Sequence, residues 1–308
     1  MSTYNGEKYI SEQIDSIISQ TGVQPELFIR DDGSKDRTQE IISQYEEKYS
    51  NIHYINRGVH ENLGFNKSFF ALIDFAIKNL PEYDLFAFAD QDDVWVDNKL
   101  YNAIKMIQIR IKEKNKDMST PVYYYANKYW CNEKLQPIHE DDMKYCKDDY
   151  FDMFMLPPVY GCTSVFNRAL GEKTLEKLPS EEFLYDVFMF RLACTMDSIL
   201  IADRKPQMYY RRHGNNASGE AMKLSPIHHV KKLFSNKSSF HGMQRYLREI
   251  YDLHSKDMET EQKNLCELVM GYDSSIKKRM QLLFWKKAYS RGVRASIIWI
   301  GRVVSRTI

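Results

Sequence analysis

The sequence contains no run of about 18 apolar residues and its mean hydropathy is negative, which argues against a conventional membrane-spanning helix. Cysteines are few and odd in number: five, at positions 131, 146, 162, 194 and 266, with no Cys-x-x-Cys spacing. Neither a disulfide framework nor a zinc knuckle is expected, and a reducing cytosol fits best. The opening Met1-Ser2-Thr3-Tyr4-Asn5-Gly6 has no basic stretch and no apolar stretch, so no signal peptide is expected there. The formal net charge is only +1, which gives no general reason to expect nucleic acid as a partner. Internal repeats and low-complexity tracts are absent, and residues 1–35 hold no glycine-rich basic phosphate loop of the kind a nucleotidyltransferase needs. One local absence matters more. Residues 277–308 carry nine Lys and Arg but no Asp or Glu, which leaves the rest of the chain net acidic.

What is present alternates between two periods. Residues 7–20 read as an amphipathic helix, with Ile10, Ile14, Ile17 and Ile18 on one face. A short strand is predicted over 26–30, a helix over 36–49, a strand over 52–55 and a helix over 66–79. The apolar run Leu85-Phe86-Ala87-Phe88-Ala89 suits a strand buried on both faces, and a helix follows from Asn98 to about 113. This is the rhythm of βαβ units around a mainly parallel sheet, an α/β fold. From 115 to 160 the pattern weakens into loops around Pro157-Pro158, with a strand predicted at 121–125. Order returns at 161–170, a helix is predicted near 185–195, and a strand at 198–201 leads to a polar segment at 211–219. Beyond 225 the chain is helical and charged.

Two acidic clusters fall at the carboxyl ends of predicted strands, where open α/β sheets bind their ligands. In Asp31-Asp32-Gly33-Ser34, a carboxylate can accept from a ribose hydroxyl or a base imide, and Gly33 permits a tight turn. The same residues also make an ordinary Asp-Gly turn leading into a helix cap. Asp90-Gln91-Asp92-Asp93 gathers three carboxylates within four residues. Their mutual repulsion calls for a cation, and carboxylate oxygens suit Mg²⁺ or Mn²⁺ bridging to phosphates. A solvated acidic turn is the plainer alternative.

Taken in order, Thr3-Tyr4-Asn5-Gly6, Asp31-Asp32-Gly33-Ser34, Asn62-Leu63-Gly64 and Asp90-Gln91-Asp92-Asp93-Val94-Trp95 resemble the signature of the family 2 glycosyltransferases, which have the GT-A fold. Gly161-Cys162-Thr163, Tyr185-Asp186 and Tyr210-Arg211-Arg212-His213-Gly214-Asn215-Asn216 resemble later blocks of the bacterial rhamnosyltransferase-like branch. The resemblance covers roughly residues 1–220. It implies a catalytic domain over 1–222 and a helical extension over 223–308.

Residue by residue, the resemblance implies that Thr3 and Tyr4 line the base pocket and that Asp31 and Asp32 hold the base and ribose. Asp90 approaches the ribose, Asp92 ligates Mg²⁺ or Mn²⁺ with Asp93 in support, and His213 joins the metal side. Arg211 and Arg212 lie by the diphosphate. Asp186 is the general base of an inverting transfer, and Trp95, Gly161, Cys162 and Thr163 border the acceptor. The donor implied first is dTDP-rhamnose, with a UDP-hexose or UDP-N-acetylhexosamine as the alternative. The acceptor is a hydroxyl of a cell-surface or lipid-linked glycan.

Two departures accompany this resemblance. The family has an apolar strand before the Thr3-Tyr4 motif, so the first strand is expected to be missing, with its two neighbours left unpaired and a non-catalytic scaffold role open. Tyr185, Val187 and Phe188 flank Asp186 where the branch has His and two Trp, which predicts a changed acceptor pocket. The basic, apolar segment 277–308 reads as an amphipathic helix on an anionic membrane, hence a peripheral protein on the inner face of a bacterial plasma membrane. A helix packed on the catalytic domain is the other reading, and a homodimer stays open.

Overall fold

The computed structural model describes residues 1–155, 159–179, 183–214 and 237–305. The predicted boundary at 222/223, the Pro157-Pro158 loop, Asn215-Asn216 and residues 306–308 lie outside them.

In chain order the elements begin β1 (Ser2–Thr3), α1 (Ile10–Ile18), β2 (Leu27–Asp31), α2 (Thr38–Lys48), β3 (Ile52–Tyr54), α3 (Phe65–Asn79), β4 (Leu85–Ala87), β5 (Val94–Trp95) and α4 (Lys99–Glu113). There follow β6 (Val122–Cys131), β7 (Pro137–Glu140), α5 (Asp152–Met155), a 3₁₀ turn at Gly161–Thr163, β8 (Ser164–Asn167), α6 (Arg168–Glu176), α7 (Tyr185–Thr195) and β9 (Ile199–Arg211). The C-terminal helices are α8 (Lys237–His254), α9 (Thr260–Gly271), α10 (Ile276–Leu283), α11 (Lys286–Tyr289) and α12 (Val293–Ser305).

Two sheets form. Strands β1, β2 and β3 pair in parallel. The second sheet runs β4-β8-β6-β9-β5, with β7 added to β6. Only β6–β9 is parallel within it; β4–β8, β6–β8, β6–β7 and β5–β9 are antiparallel. Parallel pairing therefore covers the three-stranded sheet and one central pair of the larger one.

The first strand is present, but in two residues. Ser2 and Thr3 pair with Arg30 and Asp31 at the far end of β2. Beside the near end, Leu27 and Phe28 face Leu85, Phe86 and Phe88 across an apolar cavity of about 400 Å³. Among the described residues no strand fills it, so β4 has β8 as its one neighbour. The two sheets part at this line, where a missing first strand was expected.

Strand β6 shows why the middle of the chain was hard to read. Val122, Tyr124 and Ala126 pack under α4 with Ala103 and Ile107, while Tyr123 and Tyr125 enter the main core with Phe166 and Phe190. Both faces are covered, so no polar alternation marks the strand. The C-terminal helices join that same main core: Leu247, Ile250, Leu265, Leu282, Trp299 and Val303 pack with Phe151 and Phe154. Arg291 pairs with Asp149 and Asp152, its side chain fully removed from water.

Candidate functional site

The carboxyl ends of β2, β4 and β9, the 161–163 turn and the first turn of α7 converge on one place. Asp31 ends β2 with its side chain wholly buried. Its carboxylate accepts from Thr3 Oγ1 (2.9 Å), Gly33 N (3.1 Å), Ser34 N (2.8 Å) and Gln39 Nε2 (2.9 Å). Asp32 accepts from Arg30 Nη1 (2.5 Å), Leu63 N (2.8 Å) and Gly64 N (2.9 Å), and its carbonyl takes Asn62 Nδ2 (2.7 Å). Gly33 holds φ +82°, a left-handed conformation that a side chain would strain. Both acids thus hold the loops around the site, and the Asn62-Leu63-Gly64 block is the clasp of the second. Thr3 is buried beside Asp31, whereas Tyr4 is 45% exposed.

The acidic turn is latched to the N-terminal motif. The Gln91 amide accepts from Tyr4 N (2.8 Å) and donates to Tyr4 O (2.9 Å). A Cβ on Gly6 would collide with this amide at 2.3 Å, so the glycine there answers to close approach. Asp92 and His213 come from motifs 121 residues apart, yet Asp92 Oδ2 lies 2.8 Å from His213 Nε2. Asp93 is fully buried. Its Oδ1 accepts from Arg211 N (3.0 Å), and its Oδ2 has no hydrogen-bond partner among the described residues. Burial, then Asp92, pushes the Asp90 carboxyl up to about 7; burial drives Asp93 upward as well. The Cys162 thiol stands with both acids, and burial raises it, so it is a packed neutral group and not a nucleophile.

Arg211 spans the site. Its guanidinium donates to Glu12 (2.7 Å), to Asp92 O (2.9 Å) and to Glu133 O (2.7 Å), and lies 4.5 Å from the Tyr9 ring. Arg212 lies 5.8 Å from the Trp130 ring.

On the other side, Asp186 opens α7 at 8% exposure. It accepts from Gly161 N (2.8 Å) and Val187 N (2.8 Å), but burial outweighs these donors and raises its proton affinity. Asp186 is near enough to Asp90 to raise that carboxyl too. Gly161 cannot be larger: a Cβ there would meet the Tyr185 hydroxyl at 1.7 Å. Tyr185 itself stacks on Phe69 at 4.1 Å, which is the packing that replaces the expected His and Trp flanks. Of the residues expected to border an acceptor, Trp95 (4% exposed), Cys162 and Thr163 are buried. They build the floor of the turn instead of an open wall, because their side chains point into its packing.

Two residues of the site escaped the sequence reading. Lys99, at the start of α4, is fully buried, donates to Cys162 O (2.6 Å) and lies 3.6 Å from the Trp95 ring. Burial brings its ammonium down to about 7. Lys128, within β6, pairs with Asp141 (2.8 Å) and faces the Tyr160 ring at 3.5 Å. No motif marked either residue; an isolated lysine in sequence looks like a solvated cation.

Known proteins are similar to this chain. Residues 1–173 match the family described as glycosyl transferase family 2. The dTDP-rhamnosyl transferase RfbG of Shigella flexneri is 32% identical over 247 residues, which cover 77% of this chain and 80% of that protein. An uncharacterized glycosyltransferase of Rickettsia typhi is 29% identical over 177 residues, 55% of this chain and 49% of that one. Among solved structures, residues 1–349 of S. aureus TarS, in complex with UDP-GlcNAc, align with 100% of this chain and 80% of that one at a TM-score of 0.58 and 16% identity. At that identity the likeness speaks for the fold.

Proposed function

The chain belongs to glycosyl transferase family 2 and is a nucleotide-sugar glycosyltransferase of GT-A type; from that premise we propose that it transfers rhamnose from dTDP-rhamnose to a hydroxyl of a cell-surface or lipid-linked glycan, with inversion. The observation that carries the reading is the meeting of Asp92 with His213 at 2.8 Å, in a site whose other side holds the buried carboxyl of Asp186. The 32% identity to a dTDP-rhamnosyl transferase supports the donor. A UDP-hexose or UDP-N-acetylhexosamine is the alternative donor.

Enzymes of this family commonly use a divalent metal, and the donor set fits one. Asp92 and His213 offer a carboxylate and an imidazole side by side, and the adjacent Asp93 keeps a buried Oδ2 with no hydrogen-bond partner among the described residues. Asp92 and His213 would hold the ion, with Asp93 in support; the imidazole favours Mn²⁺ over Mg²⁺, which prefers oxygen alone. Once bound, such an ion neutralises charge on the departing diphosphate. Thr3 and Tyr4 border the base, Asp31 and Asp32 fix the loops that shape its pocket, and Asp90 faces the ribose. Arg211 and Arg212 lie toward the diphosphate. Asp186 takes the proton of the acceptor hydroxyl as that oxygen attacks the anomeric carbon and the nucleoside diphosphate leaves. Gly161, Cys162 and Thr163 set the backbone on the acceptor side, with Trp95 beneath them.

No helix among the described residues is long and apolar enough to cross a membrane. The basic segment 277–308 supports docking on an anionic bilayer, which suits a lipid-linked acceptor on the inner face of a bacterial plasma membrane. The cavity between β2 and β4 favours a second reading, a binding or scaffold subunit without turnover. Calorimetry with dTDP and UDP, with Mn²⁺, Mg²⁺ or chelator, separates these, followed by turnover with a panel of nucleotide sugars. We expect metal-dependent binding of dTDP and consumption of dTDP-rhamnose. Failure of both nucleotides to bind with either metal would sink the transferase reading, and binding without turnover would favour the scaffold.

A further inference from the structure

Lys99 is the first residue of α4, where a cation opposes the helix dipole. It is also fully buried, and an ammonium out of water is costly unless compensated. Two contacts compensate it directly: the Cys162 carbonyl at 2.6 Å and the Trp95 ring at 3.6 Å. The carboxylates of Asp90 and Asp93 lie close enough to favour its charge. The bond to Cys162 falls in the middle of the Gly161–Thr163 turn. One residue earlier in that turn, the Gly161 N–H points at Asp186 Oδ2 from 2.8 Å. A single lysine therefore joins the Trp95 ring, just beyond the acidic turn, to the backbone that aims the base on the acceptor side.

We propose that Lys99 is a positioning residue for transfer: by holding the Cys162 carbonyl it fixes the Gly161 N–H on Asp186 and sets that carboxylate for the acceptor hydroxyl. This rests on the reading of Asp186 as the base. Lys99 touches neither donor nor acceptor, so its effect falls on turnover at saturating substrates and not on donor affinity.

The experiment is a double-mutant cycle on the full chain, using Lys99→Met, Asp186→Asn and the pair, read as kcat for transfer to acceptor and as calorimetric Kd for the nucleotide with Mn²⁺. Lys99→Met keeps the length of the side chain and removes the charge. We expect a fall in kcat of about 30-fold in the parent, a change in nucleotide Kd under about threefold, and a further fall under about twofold in the Asp186→Asn background. Equal fold losses in both backgrounds would show that Lys99 does not act through Asp186, and a parent-like kcat in Lys99→Met would overturn the proposal outright. If Lys99→Met does not fold, Lys99→Leu, which likewise offers no donor to the Cys162 carbonyl, is read in the same cycle by the same criteria. If Asp186→Asn turns over at the parent rate, the base is elsewhere and the Lys99 proposal goes with it.

Discussion

Asp186 keeps its carboxyl where water barely reaches, and removal from water lifts its proton affinity above the ordinary aspartate value despite the Gly161 and Val187 donors. The sign of the consequence is fixed. A raised carboxyl pKa means that the protonated, inactive base persists to higher pH, so the acid limb of kcat should lie above the ordinary value of about 4. The same group stabilises the fold only while protonated, and that contribution is lost as pH rises through its raised pKa. Asp186→Asn keeps the shape but cannot take a proton; we expect kcat to fall about 10³-fold, the acid limb to vanish from the residual rate, and nucleotide Kd to stay within about twofold. A mutant with parental kcat would refute the assignment. At this scale the sequence was legible where short blocks meet in the fold, as where Asp92 and His213 come together from distant motifs. It was silent at Lys99 and Lys128, whose roles come from burial that only the tertiary fold creates. It also suggested substrate contacts for Asp31 and Asp32, whose carboxylates turn out to be engaged by protein donors.

Elements were legible in proportion to how one-sided they are. Helices α1, α3 and α4 each bury one apolar stripe, and their periods give them away. Strands β6 and β9 run well past the predicted 121–125 and 198–201, because both carry polar residues that the fold buries: Asn127 and Lys128 in one, Asp203 and Gln207 in the other. The side chain of Asp203 accepts from Tyr124 Oη (2.9 Å) and Gln207 Nε2 (2.8 Å), a pairing across strands that local pattern cannot show. The end of α3 makes a testable case. Asn79 donates from within the last turn to Phe75 O (2.9 Å), and Arg168, from the start of α6, supplies the further donors. It reaches the carbonyls of Ile77 (3.0 Å), Tyr83 (2.8 Å) and Leu80. Charged donors to the helix end at Ile77 and Leu80 and to the following turn at Tyr83 outweigh what a lysine could offer with one point charge. Arg168→Ala should cost about 3 kcal/mol in denaturant unfolding, with Arg168→Lys recovering less than half. A loss under about 0.5 kcal/mol would mean that water serves these carbonyls equally well.

At the scale of the whole molecule, the basic C-terminal segment packs one face on the core and leaves an apolar stripe bare on the other. Helix α12 turns Ala295, Trp299 and Val303 into the core, and Trp299 Nε1 donates to Leu282 O (2.8 Å). Its other face leaves Val293 78%, Ile297 64%, Ile300 39% and Val304 63% exposed, a stripe at helical spacing; Phe284 (72%) and Ile276 (73%) are exposed on the preceding helices. Deleting 277–308 would strip Trp299, Leu282 and the buried Arg291 from the fold, so release from a membrane after deletion would prove little. The bare stripe can be changed without touching the core. Half-burying one Ile or Val in an interface contributes on the order of 1 kcal/mol, and each cation near an anionic surface contributes about as much. Ile297→Glu with Val304→Glu removes two apolar contacts and adds two repelled charges. Sedimentation with phosphatidylglycerol vesicles should therefore weaken at least 30-fold, while vesicles of phosphatidylcholine bind parent and variant poorly. Because both positions face away from the core, Tm should move by less than about 2 °C. Parental binding by a folded double variant would take the stripe out of the membrane contact and leave α12 as a packing helix with a solvated basic face.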